Sequence, residues 1–181
     1  GGGLTQHLNN GGIKDNDKFW RVASQLASGV ADIHKANLVH LDIKVCVPFS
    51  ARHRIKLTQS ARTSTAQPPN LLVTMTGDIR IAGLGTAIAV ATEGGARTGT
   101  PGYRAPEITS ELEVGPEADM FSVSVTLFEM ATGISPDSLK FDRDQFLEII
   151  DDQPKRELIS FALHADPSKR PTAEALLHKI K

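Results

Sequence analysis

The sequence predicts an α+β fold that is mostly α, and three observations carry that reading. Phe19, Val22, Leu26, Val30 and Ile33 recur at helical spacing. The stretch 118–131 is apolar on most faces, which suits a helix enclosed by the core. Between these, LLVTMTGDIRI (71–81) sets two short apolar runs around a Thr-Gly-Asp turn, the pattern of a hairpin.

In chain order, residues 1–12 are rich in Gly and Asn and read as a loop. The first helix takes Asn16 or Asp15 as its N-cap and should end near Ala36-Asn37. Leu38-Val39 is a short apolar strand that delivers the loop HLDIK. After the hairpin, residues 85–104 mix Gly, Pro and small polar side chains and predict a mobile loop. Gly133 is placed to stop the buried helix. Pro171 stands just ahead of a final amphipathic helix in RPTAEALLHKIK. No repeat is evident.

A length of 181 residues suits about one domain, and 40% hydrophobic with 23% charged residues describes a soluble globular chain. Twenty basic and 21 acidic side chains give no overall pull towards nucleic acid or membrane. Cys46 is the single cysteine, which excludes an internal disulfide and suits a reducing compartment, cytoplasmic or nuclear. No apolar run reaches the roughly 20 residues that span a bilayer. The opening GGGLTQHLNN lacks the features of a signal peptide.

One segment departs from the rest. Residues 45–67, VCVPFSARHRIKLTQSARTSTAQ, hold four Lys or Arg, no acidic residue and six Ser or Thr. Their removal would join Lys44 to Pro68 and give HLDIKPPNLLV. The segment starts with Val, whose codons all begin GT, and ends with Gln, one of whose codons is CAG. A translated intron is therefore expected, with a genuine basic regulatory insert as the alternative. Either would be irregular and outside the core, with Lys44 and Pro68 close together.

With that segment set aside, HLDIK with PPN, then RIAGLG, TGTPGYRAPEI, ADMFSVSVTLFEMATG and DPSKRPTAEALLHK resemble, in family order, the C-terminal lobe of eukaryotic protein kinases. They match the catalytic loop, the strand leading into DFG, the docking loop ending in APE, the central buried helix and the closing helix. The resemblance covers nearly all of 1–181 and implies a partial kinase domain, a helical C-lobe with a short hairpin. No Gly-rich loop, strand Lys or helix Glu is found ahead of it, so the N-lobe is expected to be absent. Leu41 after the loop His, the FWR helix start and ADMFSVSVTLFE resemble the Wee/Myt group, whereas GTPGYRAPE is closer to ordinary Ser/Thr kinases.

The resemblance implies ATP and Mg as cofactors and a protein substrate or partner. Phosphoryl transfer needs aligned reactants, neutralised phosphate charge and a base near the attacking hydroxyl. Asp42 matches the base, Lys44 the contact to the transferred phosphate, and Asn70 a Mg ligand. Leu72 matches the apolar floor beneath adenine, and Thr100 the threonine that bridges the loop Asp and Lys. His40 is a packing residue, Glu107 and Arg170 an ion pair, and Asp119 the acid that holds the loop backbone. Taken alone, Asp42 reads as a surface acid, Asn70 as a turn residue, and Asp119 as an acid favoured by a helix N-terminus.

Four departures weigh against catalysis, two of them the absent N-lobe and the 45–67 segment that separates the base from the Mg ligand. Gly83-Leu84-Gly85 stands where DFG is expected, so the carboxylate on which Mg relies is missing. Leu41 replaces the Arg that would dock a phosphorylated activation loop. The expectation is a non-catalytic kinase fragment or pseudokinase binding module, against an active Ser/Thr or Wee-like kinase. An unpartnered lobe would expose the cleft floor at Leu71, Leu72 and Ile81.

Overall fold

The computed structural model describes residues 11–45, 70–74, 76–89, 99–109, 114–136 and 142–181. Helix α1 runs Asn16–Lys35, with Asp15 as N-cap accepting the Lys18 N–H. Its stripe of Phe19, Val22, Leu26 and Val30 is buried, as the spacing requires. Strand β1 (Leu38–Val39) follows directly.

The hairpin forms from β2 (Leu71–Val73) and β3 (Ile79–Ile81), antiparallel, with Leu72 opposite Arg80. Gln25 of α1 grips its turn through the Asp78 carboxylate (2.8 Å) and the Ile79 N–H (2.8 Å). The stretch read as a loop also holds structure. A 3₁₀ turn at Leu84–Thr86 leads to β4 (Ile88–Ala89), which pairs antiparallel with β1. The strand at Leu38-Val39 was expected, but two residues at Ile88–Ala89 are too few to show an alternating pattern, so nothing in the sequence marked β4 or the pairing. Leu71, expected on an exposed floor, is instead buried, while Leu72 is about half exposed. Alternation along β2 turns the two to opposite faces.

Helix α2 (Pro116–Thr132) is buried from Ala118 to Met130. Its polar side chains are satisfied: Ser122 and Ser124 donate to carbonyls one turn back, Ala118 at 3.3 Å and Met120 at 3.0 Å. Gly133 ends it at φ 74, its N–H reaching the Glu129 carbonyl at 2.7 Å. A Cβ on Gly133 would stand 2.5 Å from the Gly12 backbone nitrogen, so only glycine fits this crossing.

Helices α3 (Arg143–Glu148), α4 (Gln153–Ala162) and α5 (Ala173–Ile180) complete the chain, capped by Asp142, Asp152 and Thr172. The core gathers Phe19, Phe121, Phe128 and Phe146 between them, with the Phe128 and Phe146 rings 4.4 Å apart. The result is mostly helical with two small antiparallel ribbons, the fold class expected. Among the described residues no helix is long and apolar enough to cross a membrane.

Of the segment 45–67, only Val45 is described. It is buried in the core at the end of the HLDIK loop, so at this first residue the expectation that the segment stays outside the core is not met. The expectations for 46–67 and for the Lys44–Pro68 distance lie outside the described residues, as do residues 90–98 of the stretch expected to be a mobile loop.

Candidate active site

The loop after β1 is held by α2 rather than by its own sequence. Asp119, fully buried near the start of α2, accepts the His40 N–H at 2.7 Å and the Leu41 N–H at 2.8 Å. The same Oδ2 receives His34 Nε2 at 3.0 Å. These bonds hold Leu41 at φ 65, a left-handed conformation that a leucine adopts only under constraint. His40 is buried, and its Nδ1 accepts the Asp42 N–H at 3.2 Å. Its Nε2 therefore carries the proton and donates to the Ala82 carbonyl at 2.9 Å.

This turn presents Asp42 to three partners. Thr100 Oγ1 donates to Oδ1 at 2.7 Å, and Asn70 Nδ2 donates to Oδ2 at 2.6 Å. Lys44 Nζ lies 3.2 Å from Oδ2 and also donates to Thr100 Oγ1, so Thr100 bridges the acid and the lysine. Lys44 and Asn70 are both buried. A charge pair this dry is tolerable because Thr100 and Asn70 also donate to the carboxylate and Thr100 accepts from the ammonium. The four side chains the sequence singled out here thus form one cluster.

Asn70 also donates to the Asp42 carbonyl at 2.6 Å. Its other side faces Gly83, which is left-handed at φ 81, ψ 35. A Cβ built on Gly83 would lie 2.2 Å from Asn70 Oδ1 and 2.7 Å from its Cγ. Position 83 therefore has no side chain, and its space is filled by the amide. Leu72 and Leu84 are exposed near this end of the hairpin.

The donor set does not fit a magnesium ion. Mg²⁺ asks for near-octahedral oxygen ligands, commonly one or two carboxylates. Here Gly83 brings none, and the Asp42 carboxylate is already taken by Asn70, Thr100 and Lys44. Among the described residues no group of three or more His, Cys, Asp or Glu could hold a metal. Asp78 does not substitute, since it is tied into the hairpin turn. Hydrogen bonds from Thr76 and Gln25 hold its carboxyl below the usual range.

Away from the loop, Arg170 and Glu107 form a bidentate pair at 2.5 and 2.8 Å. The remaining Arg170 N–H groups reach the carbonyls of His164 (2.7 Å), Glu117 (2.8 Å) and Ala165 (3.0 Å), so all five are used.

Three residues that hold the loop were not singled out in the sequence. His34 braces Asp119. The Tyr103 hydroxyl donates to the buried Glu129 carboxylate and lies 3.3 Å from the Val45 carbonyl. Thr126 Oγ1 lies 3.5 Å from the Ile43 carbonyl. The available signal was Thr126 and Glu129 as polar residues in a mostly apolar buried helix, which must find partners.

A family model described as the protein kinase domain matches residues 67–180, so the match starts at the last residue of the 45–67 segment. Serine/threonine-protein kinase sid1 of Schizosaccharomyces pombe is 26% identical over 195 residues, covering 96% of this chain and 37% of that protein. A probable protein kinase of Dictyostelium discoideum is 29% identical over 168 residues, covering 88% and 41%. The interferon-induced, double-stranded RNA-activated protein kinase of Rattus norvegicus is 28% identical over 191 residues, covering 99% and 33%. The chain thus spans 33–41% of the length of these relatives. With most of the chain matched in sequence and the catalytic-loop residues gathered around Asp42, this chain belongs to the protein kinase family.

Proposed function

We propose that the chain is C-lobe material of a Ser/Thr-type protein kinase domain that keeps its catalytic loop as a folded unit and transfers no phosphate itself. The observation that carries this is Gly83 under the Asn70 amide, where the family has a metal-binding acid. Phosphoryl transfer depends on neutralising charge on the phosphates, and a loop without that acid forgoes the main means of doing so. The Lys44–Thr100–Asp42 bridge supports Ser/Thr rather than Tyr descent. The Wee/Myt likeness rests on Leu41, the FWR start of α1 and the 118–129 stretch alone.

That same bridge favours a second reading, an active kinase, because the base is still positioned. Two measurements on the 181-residue chain separate them. Labelled phosphate incorporation from Mg-ATP into a Ser/Thr-rich protein should not exceed that of an Asp42→Asn variant. Mg-ATP should leave Tm unchanged, since only a ligand bound to the folded state raises it. Incorporation that vanishes in Asp42→Asn establishes the active reading instead.

The 45–67 segment is proposed to be retained intron, supported by its in-frame excision to HLDIKPPNLLV and by a family match that begins only at its last residue. Transcripts that consistently keep those codons would overturn this.

A further inference from the structure

A groove of about 390 Å³ lies between α3, α4 and α5. Arg143, Arg156 and Lys179 line it around an apolar floor of Leu147 and Phe161. The arginines bond to neutral groups: Arg143 to the carbonyls of Leu163 (2.6 Å) and Ser160 (3.1 Å), Arg156 to that of Ile150 (2.8 Å). Carbonyl acceptors fix a guanidinium in place and leave its net charge uncancelled. The acids nearby cancel it only in part. Glu157, itself in the lining, keeps its charge while accepting from the neutral Gln153 amide at 2.9 Å, so Arg143, Arg156 and Lys179 face one acid there, and Asp144, 3.7 Å from Arg143, is 87% exposed. An ion pair that open to water is worth about 0–1 kcal/mol. The groove is thus cationic on a chain whose formal charge is −1.

Two further observations point the same way. Phe161 is one of three large hydrophobic residues exposed among those described, the other two being Leu72 of β2 and Leu84 of the 3₁₀ turn after Gly83. His164, also in the groove wall, has its pKa lowered, first by burial and then by the charges of Arg143, Lys169 and Arg170. A positive potential has that effect on an imidazole.

We propose that this groove docks an acidic segment of a protein partner. Carboxylates of the peptide meet Arg143, Arg156 and Lys179, and one aliphatic or aromatic side chain packs on Phe161 and Leu147. A polynucleotide fits less well: single strands stack successive bases on several aromatic rings, whereas this groove offers the one ring of Phe161, with Lys179 Nζ over one face at 5.2 Å and room on the other for a single side chain. The groove shares no residue with the Asp42 cluster, so this docking stands whether or not the chain transfers phosphate.

The test uses the 181-residue chain and three fluorescein-labelled probes: a Glu-rich peptide with a central Leu-Phe pair, its Lys-rich counterpart, and a single-stranded oligonucleotide. Anisotropy should show binding of the Glu-rich peptide that weakens with added salt. Lys179→Glu, at an exposed side chain, should raise Kd by about tenfold without moving Tm, and Phe161→Ser, at a ring 37% exposed, should do so in a chain that still melts cooperatively. Amide shifts on adding the peptide to the unaltered chain should fall on α3, α4 and α5. No binding, equal binding of the Lys-rich peptide, shifts elsewhere, or a Kd indifferent to both variants overturns the proposal. Tighter binding of the oligonucleotide overturns it in favour of nucleic acid.

Discussion

Asn70 and Asp42 stand 28 positions apart in sequence, yet the Asn70 amide donates to Asp42 Oδ2 at 2.6 Å. The same amide donates to the Asp42 backbone carbonyl, so a residue beyond the 45–67 segment completes a loop that lies before it.

Asn70→Ala should therefore destabilise the chain. Two acceptors on Asp42 lose their donor in a largely buried setting, a change worth about 1–3 kcal/mol. Asn70→Asp should be worse at neutral pH, because it sets a second carboxylate against Asp42. Acidification should narrow the difference between the two variants, as one carboxyl takes up a proton. Urea midpoints of both variants across the acid range check this, and a gap independent of pH would contradict it.

The Glu107–Arg170 pair predicts a non-additive cycle. Arg170→Ala leaves a buried Glu107 charge alone and should cost roughly 3–5 kcal/mol. Arg170→Lys should recover little of this, since an ammonium cannot reproduce the five-donor fork. The double variant Glu107→Leu with Arg170→Met should be more stable than either single change. Equilibrium unfolding decides it: strictly additive losses would show that the pair does not act as a unit.

Stability should fall with pH in two steps. His164 has a folded pKa below its ordinary 6.5, so in the window just under 6.5 the unfolded chain binds more protons. Stability present above 6.5 is lost as pH drops through that window, and His164→Gln should remove this first step. Burial raises the Asp152 carboxyl, but hydrogen bonds from the Lys155 backbone and side chain outweigh it and hold the pKa below 3.8. That contribution is present above 3.8 and is lost only as pH falls below it. A melting series in which acidification from neutral pH to 6 raises Tm would refute the His164 assignment.

Gly133→Ala and Gly85→Ala should behave oppositely. At Gly133 a side chain meets both a left-handed φ, costing roughly 1–2 kcal/mol, and the Gly12 backbone, so the loss should exceed about 2 kcal/mol. At Gly85 an added Cβ has nothing within 4 Å, and the change should stay within about 0.5 kcal/mol. Thermal denaturation of the two variants provides the comparison.

What could be read from the sequence was whatever repeats over several turns or marks a boundary. The stripe from Phe19 to Val30 specified α1 and its buried face, and Gly133 specified where α2 stops. The β1–β4 ribbon was not legible, because Ile88 and Ala89 carry no pattern of their own and take their structure from β1. At the site, HLDIK and Asn70 could be joined only through a family motif, since nothing in a separation of 28 residues fixes a distance. Asp119 was foreseen as the acid that holds the loop. Its brace, His34, was not: it lies on the far end of α1, and only packing brings it to Asp119.

The amide that fills the space above Gly83 also bears on how this chain can change over generations. A mutation that returns an acid to position 83 places its Cβ where Asn70 now stands, at 2.2 Å from Oδ1. To make room, Asn70 must turn away from Asp42 and surrender the contacts that order the loop. The first step back towards a metal-binding acid therefore lowers stability before any chemistry can benefit. A return to an acid at position 83 is thus resisted twice, by the left-handed backbone and by the Asn70 amide beside it.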